Sequence, residues 1–353
     1  MRAHEAVWPA RLPSHISPPV TSLWMNLAIS AMRYPNKPAL VYMGKVWSYE
    51  DLRNAAETFA SSLRGLGVQA GDRVILNMQN CPQLVIAHFA ILRLDAVVVP
   101  VNPMNKAEEL KHYIIDPDAR VAVTTADLAP ELAQASNALP SEQQLQHLVV
   151  TQFSDVFDAQ ALTSADLPDA WRSWLLPLRD LPKLDAGQSH AWQALMAQGR
   201  AADLPPVQAG SEDLAILPYT SGTTGLPKGC MHTHGTIMHN AMAAGLWVNG
   251  TPENVTLCVV PMFHITGMVS VMHASIFIGA SLVIMPRWDR DVAGQLISKW
   301  RVTHWTNIPT MVIDLLGSPN LSAYDLSSLV NIGGGGAAMP LSLIHISEPT
   351  RRS

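Results

Sequence analysis

The chain carries the stretch Tyr219-Thr220-Ser221-Gly222-Thr223-Thr224-Gly225-Leu226-Pro227-Lys228-Gly229. An apolar run at residues 214–217 precedes it and predicts a buried strand, and the pattern at 233–245 predicts a helix. The stretch is therefore predicted to be a loop between a strand and a helix. Because its glycines, hydroxyls and lysine bury almost no apolar area, the loop is more typical of a polar binding site than of a packing element.

This loop has the composition of a phosphate-binding site. Gly222 and Gly225 reach positive φ at little cost and can turn backbone N–H groups towards an anion. The charge of Lys228 would attract a phosphate oxygen about 4 Å away by about 1 kcal/mol in water and by about 4 kcal/mol in a partly screened cleft. Each hydrogen bond to a charged group contributes about 1.5–3 kcal/mol. The hydroxyl donors for such bonds are Thr220, Ser221, Thr223 and Thr224. The loop is thus predicted to hold phosphates, with the lysine helping to place them.

Two alternative interpretations of the loop fit the sequence less well. A Walker A loop needs glycine before its lysine and serine or threonine after it. Here Pro227 precedes Lys228 and Gly229 follows it, so the pattern fails at both positions. A flexible linker of serine, threonine and glycine would not explain the strand before the loop, the helix after it or the Pro-Lys-Gly ending.

Residues 220–229, TSGTTGLPKG, resemble the phosphate-loop signature of the AMP-forming adenylating enzymes. That family comprises acyl-CoA synthetases, nonribosomal-peptide adenylation domains and luciferases. The resemblance implies ATP bound with magnesium, a carboxylate that attacks the α-phosphorus, and departure of pyrophosphate. It extends to residues 67–103 and 108–123, which resemble the opening blocks of the acyl-CoA synthetases and are interpreted as core.

Helical and extended patterns alternate along much of the chain. Ser48 and Asp51 form a predicted capping box for a helix that ends near Gly65 and Gly67. The other predicted helices begin at Pro82 and at residues 108, 267, 292 and 309, and the predicted strands are 73–78, 96–101, 121–124, 255–260, 280–285, 304–308 and 329–332. Such alternation indicates an α/β fold of doubly wound, mostly parallel sheets. Because the two alternating sets are separated, we expect two sheets packed in layers, which matches the large N-terminal domain that the resemblance implies.

Two further motifs follow predicted strands, where open α/β sheets bind their ligands. PMFHITG at 261–267 resembles the family's second signature, which implies that His264 lies beside the acyl substrate and the α-phosphate. A neutral imidazole there could donate to developing charge, and a protonated one could offset repulsion between two anions. The third motif consists of Gly333, Gly334, Gly335, Gly336, Ala337 and Ala338, and it resembles the block that lines the adenine and acyl pockets. The other histidines are interpreted as structural.

The composition excludes several other classes of protein. With 23 basic and 28 acidic residues and no basic run, the 353-residue chain does not resemble a nucleic-acid-binding protein. No apolar run reaches the length of a membrane span, and the N-terminus does not resemble a signal peptide. The three scattered cysteines are interpreted as buried thiols of a cytoplasmic protein. Because ten tryptophans are present, peripheral contact with a membrane is retained as an alternative.

The predicted organisation is an extension at 1–20, a partial AMP-binding domain at 21–342 and a tail at 343–353. Residues 143–210, in which prolines interrupt the periodicity, are interpreted as an ordered insertion that wraps the surface. From about Leu343 the sequence resembles neither the family nor a natural terminus, so the tail is interpreted as non-native. The residues that would bind magnesium and ribose, and the domain with the family's catalytic lysine, are then expected to lie outside this chain.

The leading interpretation of function is an AMP-forming acid–thiol ligase that activates a fatty acid with ATP and transfers it to coenzyme A. The fragment itself is expected not to complete that reaction. An adenylation domain for an amino or aryl acid is the alternative within enzymes, although residues 261–267, 307–311 and 332–339 contain no acid to pair a substrate ammonium. A non-catalytic nucleotide-binding or scaffold protein is the alternative from another class.

Overall fold

The structure is a computed structural model that describes residues 8–157, 167–220 and 225–337. The described part consists mainly of two mostly parallel β-sheets with helices on their faces. The strands are β1 Pro38–Tyr42, β2 Lys45–Ser48, β3 Arg73–Asn77, β4 Val97–Val101, β5 Val121–Thr125, β6 His147–Thr151, β7 Gln188–Ala191, β8 Leu214–Ile216, β9 Tyr219–Thr220, β10 Lys228–Gly229, β11 His232–Thr233, β12 Val255–Cys258, β13 Ser281–Ile284, β14 His304–Asn307 and β15 Asn331–Gly334. The helices are α1 Trp24–Arg33, α2 Tyr49–Gly65, α3 Pro82–Arg93, α4 Ala107–Ile115, α5 Ala129–Asn137, α6 Asp169–Leu175, α7 Trp192–Gln198, α8 His234–Trp247, α9 Ala274–Ile278, α10 Arg290–Trp300 and α11 Pro309–Leu316.

The sheets follow the two alternating sets of the sequence. The first has the order β11-β8-β4-β3-β5-β6-β7 and the second the order β15-β14-β12-β13-β1-β2. Pairing is parallel except at β11 and β2, which run antiparallel to their neighbours at the sheet edges. The predicted doubly wound α/β fold is confirmed, and parallel pairing explains why the central strands are buried runs of β-branched residues.

Local signals located most of the helices in the chain. The Ser48 side chain accepts from the Asp51 backbone N–H while the Asp51 carboxylate accepts from the Ser48 N–H, so the predicted capping box is present. Pro82 occupies the first turn of α3, where a missing N–H costs no helical hydrogen bond. Strand ends differ from the prediction by a few residues, and β15 begins at Asn331 rather than at 329.

Residues 143–210 contribute more to the sheet than a surface insertion would. β6 pairs in parallel with β5, and β7 pairs in parallel with β6 at the edge of the first sheet. Trp192 of α7 is buried with its ring centroid 4.1 Å from that of Phe59. The prolines break the periodicity of this segment, yet its apolar side chains complete one side of the core.

The N-terminal elements belong to the second sheet, which the sequence pattern did not predict. β1 pairs in parallel with β13, more than two hundred residues later in the chain, and β2 extends that edge. Helix α3 is buried along almost its whole length and contacts residues of the second set, since its His88 lies 2.8 Å from His273. The two sheets are therefore joined through a common core.

Candidate active site

The predicted phosphate loop is closed by a short hairpin. β9 pairs antiparallel with β10, with Thr220 opposite Lys228 and Tyr219 opposite Gly229. The Cys230 N–H donates to the Pro218 carbonyl at 2.8 Å and extends this pairing. The two arms of the hairpin lie side by side, which brings Thr220 beside Lys228. The sequence predicted a simple loop here and missed the hairpin, because two-residue strands leave no periodic pattern.

The motif's residues divide between described and undescribed positions. Thr220, Gly225 and Lys228 are exposed, so the lysine charge faces solvent. Ser221, Gly222, Thr223 and Thr224 lie outside the described residues. The hairpin as far as it is described therefore offers one hydroxyl and one ammonium group to an anionic ligand.

His264 lies in the loop that follows β12 and is exposed. Its Nδ1 accepts a hydrogen bond from the Thr266 backbone N–H at 3.3 Å. Because an accepting Nδ1 carries no proton, the neutral ring bears its proton on Nε2. The exposed imidazole can therefore present an N–H donor to a ligand.

Two buried features fold the loop that carries His264. A Cβ at Gly267 would lie 2.2 Å from the Pro261 carbonyl oxygen, so only glycine permits this close return of the backbone. The Asn80 amide donates to the Val260 carbonyl at 3.1 Å and accepts from the Met262 N–H at 2.8 Å. Asn80 is 3% exposed and comes from the first sheet, so it ties the loop to the other layer.

Sequence reasoning missed the role of Asn80. The residue falls in the block that we interpreted as core, and nothing in its neighbours predicts two hydrogen bonds to residues about 180 positions away. Its position just after β3 was the one available signal, since polar residues that follow parallel strands often serve a site.

A π-helical segment, Thr266–His273, follows His264 and runs into α9. The sequence predicted one helix over 267–277 without this wider turn. π-helical turns are rare and occur frequently at functional sites, because the extra residue re-aims the neighbouring side chains.

The glycine run lies beside the carboxyl end of β14. Gly333 is opposite Thr306 and Gly334 is opposite Asn307 in the parallel pairing, and the Gly335 N–H donates to the Asn307 carbonyl at 3.3 Å. The run is largely exposed as far as Ala337, and Ala338 lies outside the described residues. The Asn307 side-chain oxygen is buried and has no hydrogen-bond partner within the described part of the chain. A ligand group that donates a hydrogen bond can therefore bond to the Asn307 side-chain oxygen, beside glycines whose backbone carries no side chains.

An open cleft of about 580 Å³ runs along α8. Its walls include Ile237, Asn240 and Ala244 of α8, Thr266 and Val269 of the π-helical segment, and Thr306 of β14. The cleft thus begins at residues adjacent to His264 and to the glycine run, whereas Lys228, His264 and the glycine run are not among the residues that line it. Thr306 and the α8 residues were not predicted as site residues.

The described residues give two further observations, one about metal sites and one about membrane-spanning helices. Within residues 8–157, 167–220 and 225–337, no group of three or more His, Cys, Asp or Glu side chains could hold a metal ion. The described residues thus do not by themselves form a magnesium site. None of the described helices combines the length and apolar character needed to cross a bilayer.

The cysteines differ in part from the expectation. Cys81 and Cys258 are buried free thiols, and burial raises the pKa of each to about 12. Cys230 is exposed, so its interpretation as a buried thiol was wrong. It follows the phosphate hairpin directly, where the alternation of buried and exposed positions turns it outward.

Layered parallel sheets, a short hairpin and a histidine loop at a strand end place the chain in the class of α/β domains that bind ligands at the carboxyl ends of their strands. The chain matches the family described as AMP-binding enzyme over residues 27–348, and it belongs to that family. The predicted resemblance is thereby confirmed.

Curated relatives and solved structures share this fold. The long-chain-fatty-acid–CoA ligase of Bacillus subtilis (strain 168) is 31% identical over 346 residues, which cover 96% of this chain and 59% of that protein. The 4-coumarate–CoA ligase 2 of Oryza sativa subsp. japonica is 28% identical, with 88% of this chain and 51% of that protein covered. The anthranilate CoA ligase AuaEII in complex with anthranoyl-AMP superposes with a TM-score of 0.76 at 24% identity, covering 93% of this chain and 57% of that one. The chain therefore spans less than two thirds of the length of these proteins.

Proposed function

We propose that this chain forms the acid-activating part of an AMP-forming acid–thiol ligase whose substrate is a fatty acid. The observation that carries the proposal is the cleft along α8, whose described lining contains no Asp, Glu, Lys or Arg. Such a surface suits an extended hydrocarbon chain, because apolar groups leave water there without stranding a charge. The names of the bacterial relatives support the same substrate class.

The proposed first half-reaction joins the acid to AMP. A carboxylate oxygen attacks the α-phosphorus of ATP, the bond from that phosphorus to the bridging oxygen breaks, and pyrophosphate leaves. Lys228 and the hydroxyls of the hairpin would hold the phosphate oxygens, and the Nε2–H of His264 would donate where the two anions meet. Catalysis would then come mainly from positioning two reactants in line and from offsetting their charge.

In the second half-reaction, the thiol sulfur of coenzyme A attacks the acyl carbon and AMP leaves. ATP would enter with magnesium, and the glycine run would let the adenine ring approach the backbone. We propose that the whole protein carries out both half-reactions in the cytoplasm, with peripheral contact with a membrane as the alternative. Three free cysteines support a reducing compartment.

The alternatives differ in the ligand that they require. An amino-acid substrate would need a carboxylate for its ammonium group, and the cleft lining offers none among the described residues. An aryl acid would fill only part of the cleft of about 580 Å³. A non-catalytic nucleotide-binding protein would bind MgATP without transferring AMP.

The test is to incubate the whole protein, of which this chain would form the acid-activating part, with MgATP and one of laurate, benzoate or leucine, and to detect acyl-adenylate by mass spectrometry. We expect the laurate adenylate in excess over the benzoate adenylate and none with leucine. Leucyl-adenylate as the main product would contradict the fatty-acid proposal. Binding of MgATP without any adenylate would favour the non-catalytic alternative.

Lys228→Ala tests the phosphate hairpin by titration calorimetry with MgATP. We expect roughly tenfold weaker binding, because a partly screened lysine contributes at least about 1.4 kcal/mol to phosphate binding. Lys183→Ala is the matched control, since Lys183 is also exposed but lies outside the hairpin, in the segment before β7. If both variants and the native chain bound MgATP with equal affinity, Lys228 would not belong to the phosphate site.

A further inference from the structure

Helix α4 contacts the phosphate hairpin through two side chains on one face. The His112 Nε2–H donates to the Pro227 carbonyl at 2.7 Å, and the Tyr219 hydroxyl donates to the Asp116 carboxylate at 2.5 Å. His112 and Asp116 are four residues apart, which places them one above the other at the end of the helix. The proposed reaction assigns no role to either residue.

These contacts hold both arms of the hairpin. Tyr219 lies in β9, and Pro227 directly precedes β10. The Tyr219 ring packs against Tyr113 with centroids 4.7 Å apart and meets the His112 ring edge-on at 5.7 Å. A Cβ added at Gly229 would lie 3.3 Å from the Tyr219 ring, so the second arm of the hairpin passes close to that ring.

The helix that supplies the contacts is itself held firmly. Its residues Leu110, Tyr113 and Ile114 are buried against the first sheet and α5. At its other end, the Ala107 N–H donates to the Glu131 carboxylate at 3.0 Å. A hairpin bound to α4 therefore has its position set by the first sheet.

The chemistry of the pair keeps both bonds intact at neutral pH. Burial raises the pKa of Tyr219, and its bond to Asp116 raises the pKa further, so the phenol stays a donor. An O–H group that donates to a carboxylate at this distance forms one of the stronger hydrogen bonds in proteins. A carbonyl oxygen can only accept, so in the bond to Pro227 His112 must carry its proton on Nε2.

We propose that His112, Asp116 and Tyr219 form a clamp of positioning residues that sets the phosphate hairpin for the β- and γ-phosphates of ATP. This inference rests on the proposed function, since it names the polyphosphate end of the nucleotide as the ligand of the hairpin. The clamp residues act through the hairpin rather than on the reacting atoms.

The first experiment needs no nucleotide. Hydrogen–deuterium exchange of the peptide covering 217–231 is compared among the native chain, Tyr219→Phe, His112→Leu and His112→Gln. We expect roughly tenfold faster exchange in Tyr219→Phe and His112→Leu, and rescue in His112→Gln, whose amide retains a donor. Tyr324→Phe is the matched control, because its hydroxyl also donates to a carboxylate, that of Asp291 in α10, at 2.7 Å. Unchanged exchange in both clamp variants would overturn the proposal.

The second experiment compares two nucleotides by calorimetry on the same proteins. We expect MgATP to bind roughly tenfold more weakly to Tyr219→Phe and His112→Leu, while AMP, which lacks the β- and γ-phosphates, binds as to the native chain. An equal loss for both nucleotides would overturn the positioning role and indicate general damage to the fold. A native chain that binds AMP but not MgATP would overturn the ligand named here and the proposed function, while the exchange result still decides the clamp.

Discussion

Gly267 shows how a single residue shapes the candidate site. Its backbone passes so close to the preceding loop that an added Cβ would lie 2.2 Å from the Pro261 oxygen and 2.7 Å from the Val260 oxygen. Both neighbours are backbone atoms, which cannot move aside as a flexible side chain can. The conformation of the His264 loop therefore depends on the absence of a side chain at this position.

Gly267→Ala is expected to destabilise the chain by about 3 kcal/mol, the upper part of the usual range for overpacking, because the loop must shift to admit the methyl group. Urea denaturation followed by tryptophan fluorescence measures the change. Gly65→Ala is the control, since a Cβ there meets nothing within 4 Å at the end of α2. That substitution is expected to stabilise by about 0.5–1 kcal/mol. Equal effects of the two substitutions would show that the close approach carries no energetic weight.

At the scale of the element, α3 and the π-helical segment meet through a buried histidine pair. His88 and His273 are both almost completely buried, with their Nε2 atoms 2.8 Å apart. Burial lowers the pKa of His273 to about 3, with His234 nearby adding to the effect. Burial and His273 hold the pKa of His88 well below its usual value. Both rings are therefore neutral in the folded chain at neutral pH.

The histidine pair predicts acid destabilisation with a defined sign. Unfolded histidine has a pKa of about 6.5, so below that pH the unfolded chain binds protons that the folded chain does not. Stability is then fully present above about pH 6.5, and each histidine removes up to about 1.4 kcal/mol per pH unit as the pH falls below 6.5; for His273 this loss continues towards pH 3. Denaturant unfolding at several pH values measures the slope.

His273→Gln should reduce that slope by the contribution of one proton, because the amide does not titrate. The matched control is His239→Gln, the same substitution at an exposed position. If His273→Gln retained the native pH dependence, the pair would not be a source of acid sensitivity.

The elements differ in how far the sequence predicts them. The α2 capping box and the central strands were found, because their signals lie within a few neighbouring residues. β7, Gln-Ser-His-Ala, has no apolar alternation and forms because β6 offers it a partner edge. The π-helical segment has the apolar pattern of an ordinary helix, so its wider turn leaves no signal in the sequence. The hydroxyl and glycine motifs marked the candidate site, whereas α8 and Thr306 join the cleft only through the fold.

At the scale of the whole molecule, Asn80 links the two layers beside the candidate site. It follows β3 of the first sheet, and its amide bonds two backbone groups in the loop after β12 of the second sheet. This contact could not be predicted from the sequence, because its partners are distant in the chain and are backbone atoms. The arrangement of the layers near His264 thus depends on one buried side chain.

Asn80→Ala is expected to destabilise the chain by about 2–4 kcal/mol, since it leaves the Val260 carbonyl and the Met262 N–H buried without a partner. Asn54→Ala, at an exposed amide of α2, is the control and is expected to change stability by about 0.5 kcal/mol or less. Denaturant unfolding measures both variants, and an equally small change in both would contradict a linking role for Asn80.

Asn80→Asp separates the acceptor function of the amide from its donor function. At neutral pH the carboxylate can still accept from the Met262 N–H, but it cannot donate to the Val260 carbonyl, so we expect destabilisation at least as large as in the alanine variant. Burial beside a carbonyl raises the pKa of such a carboxyl, so the folded variant binds a proton that the unfolded chain releases. Relative to the native chain at the same pH, the variant should therefore gain stability as the pH falls and the protonated carboxyl becomes a donor. A constant difference from the native chain between pH 7 and pH 5 would show that the bond to Val260 does not hold the layers together.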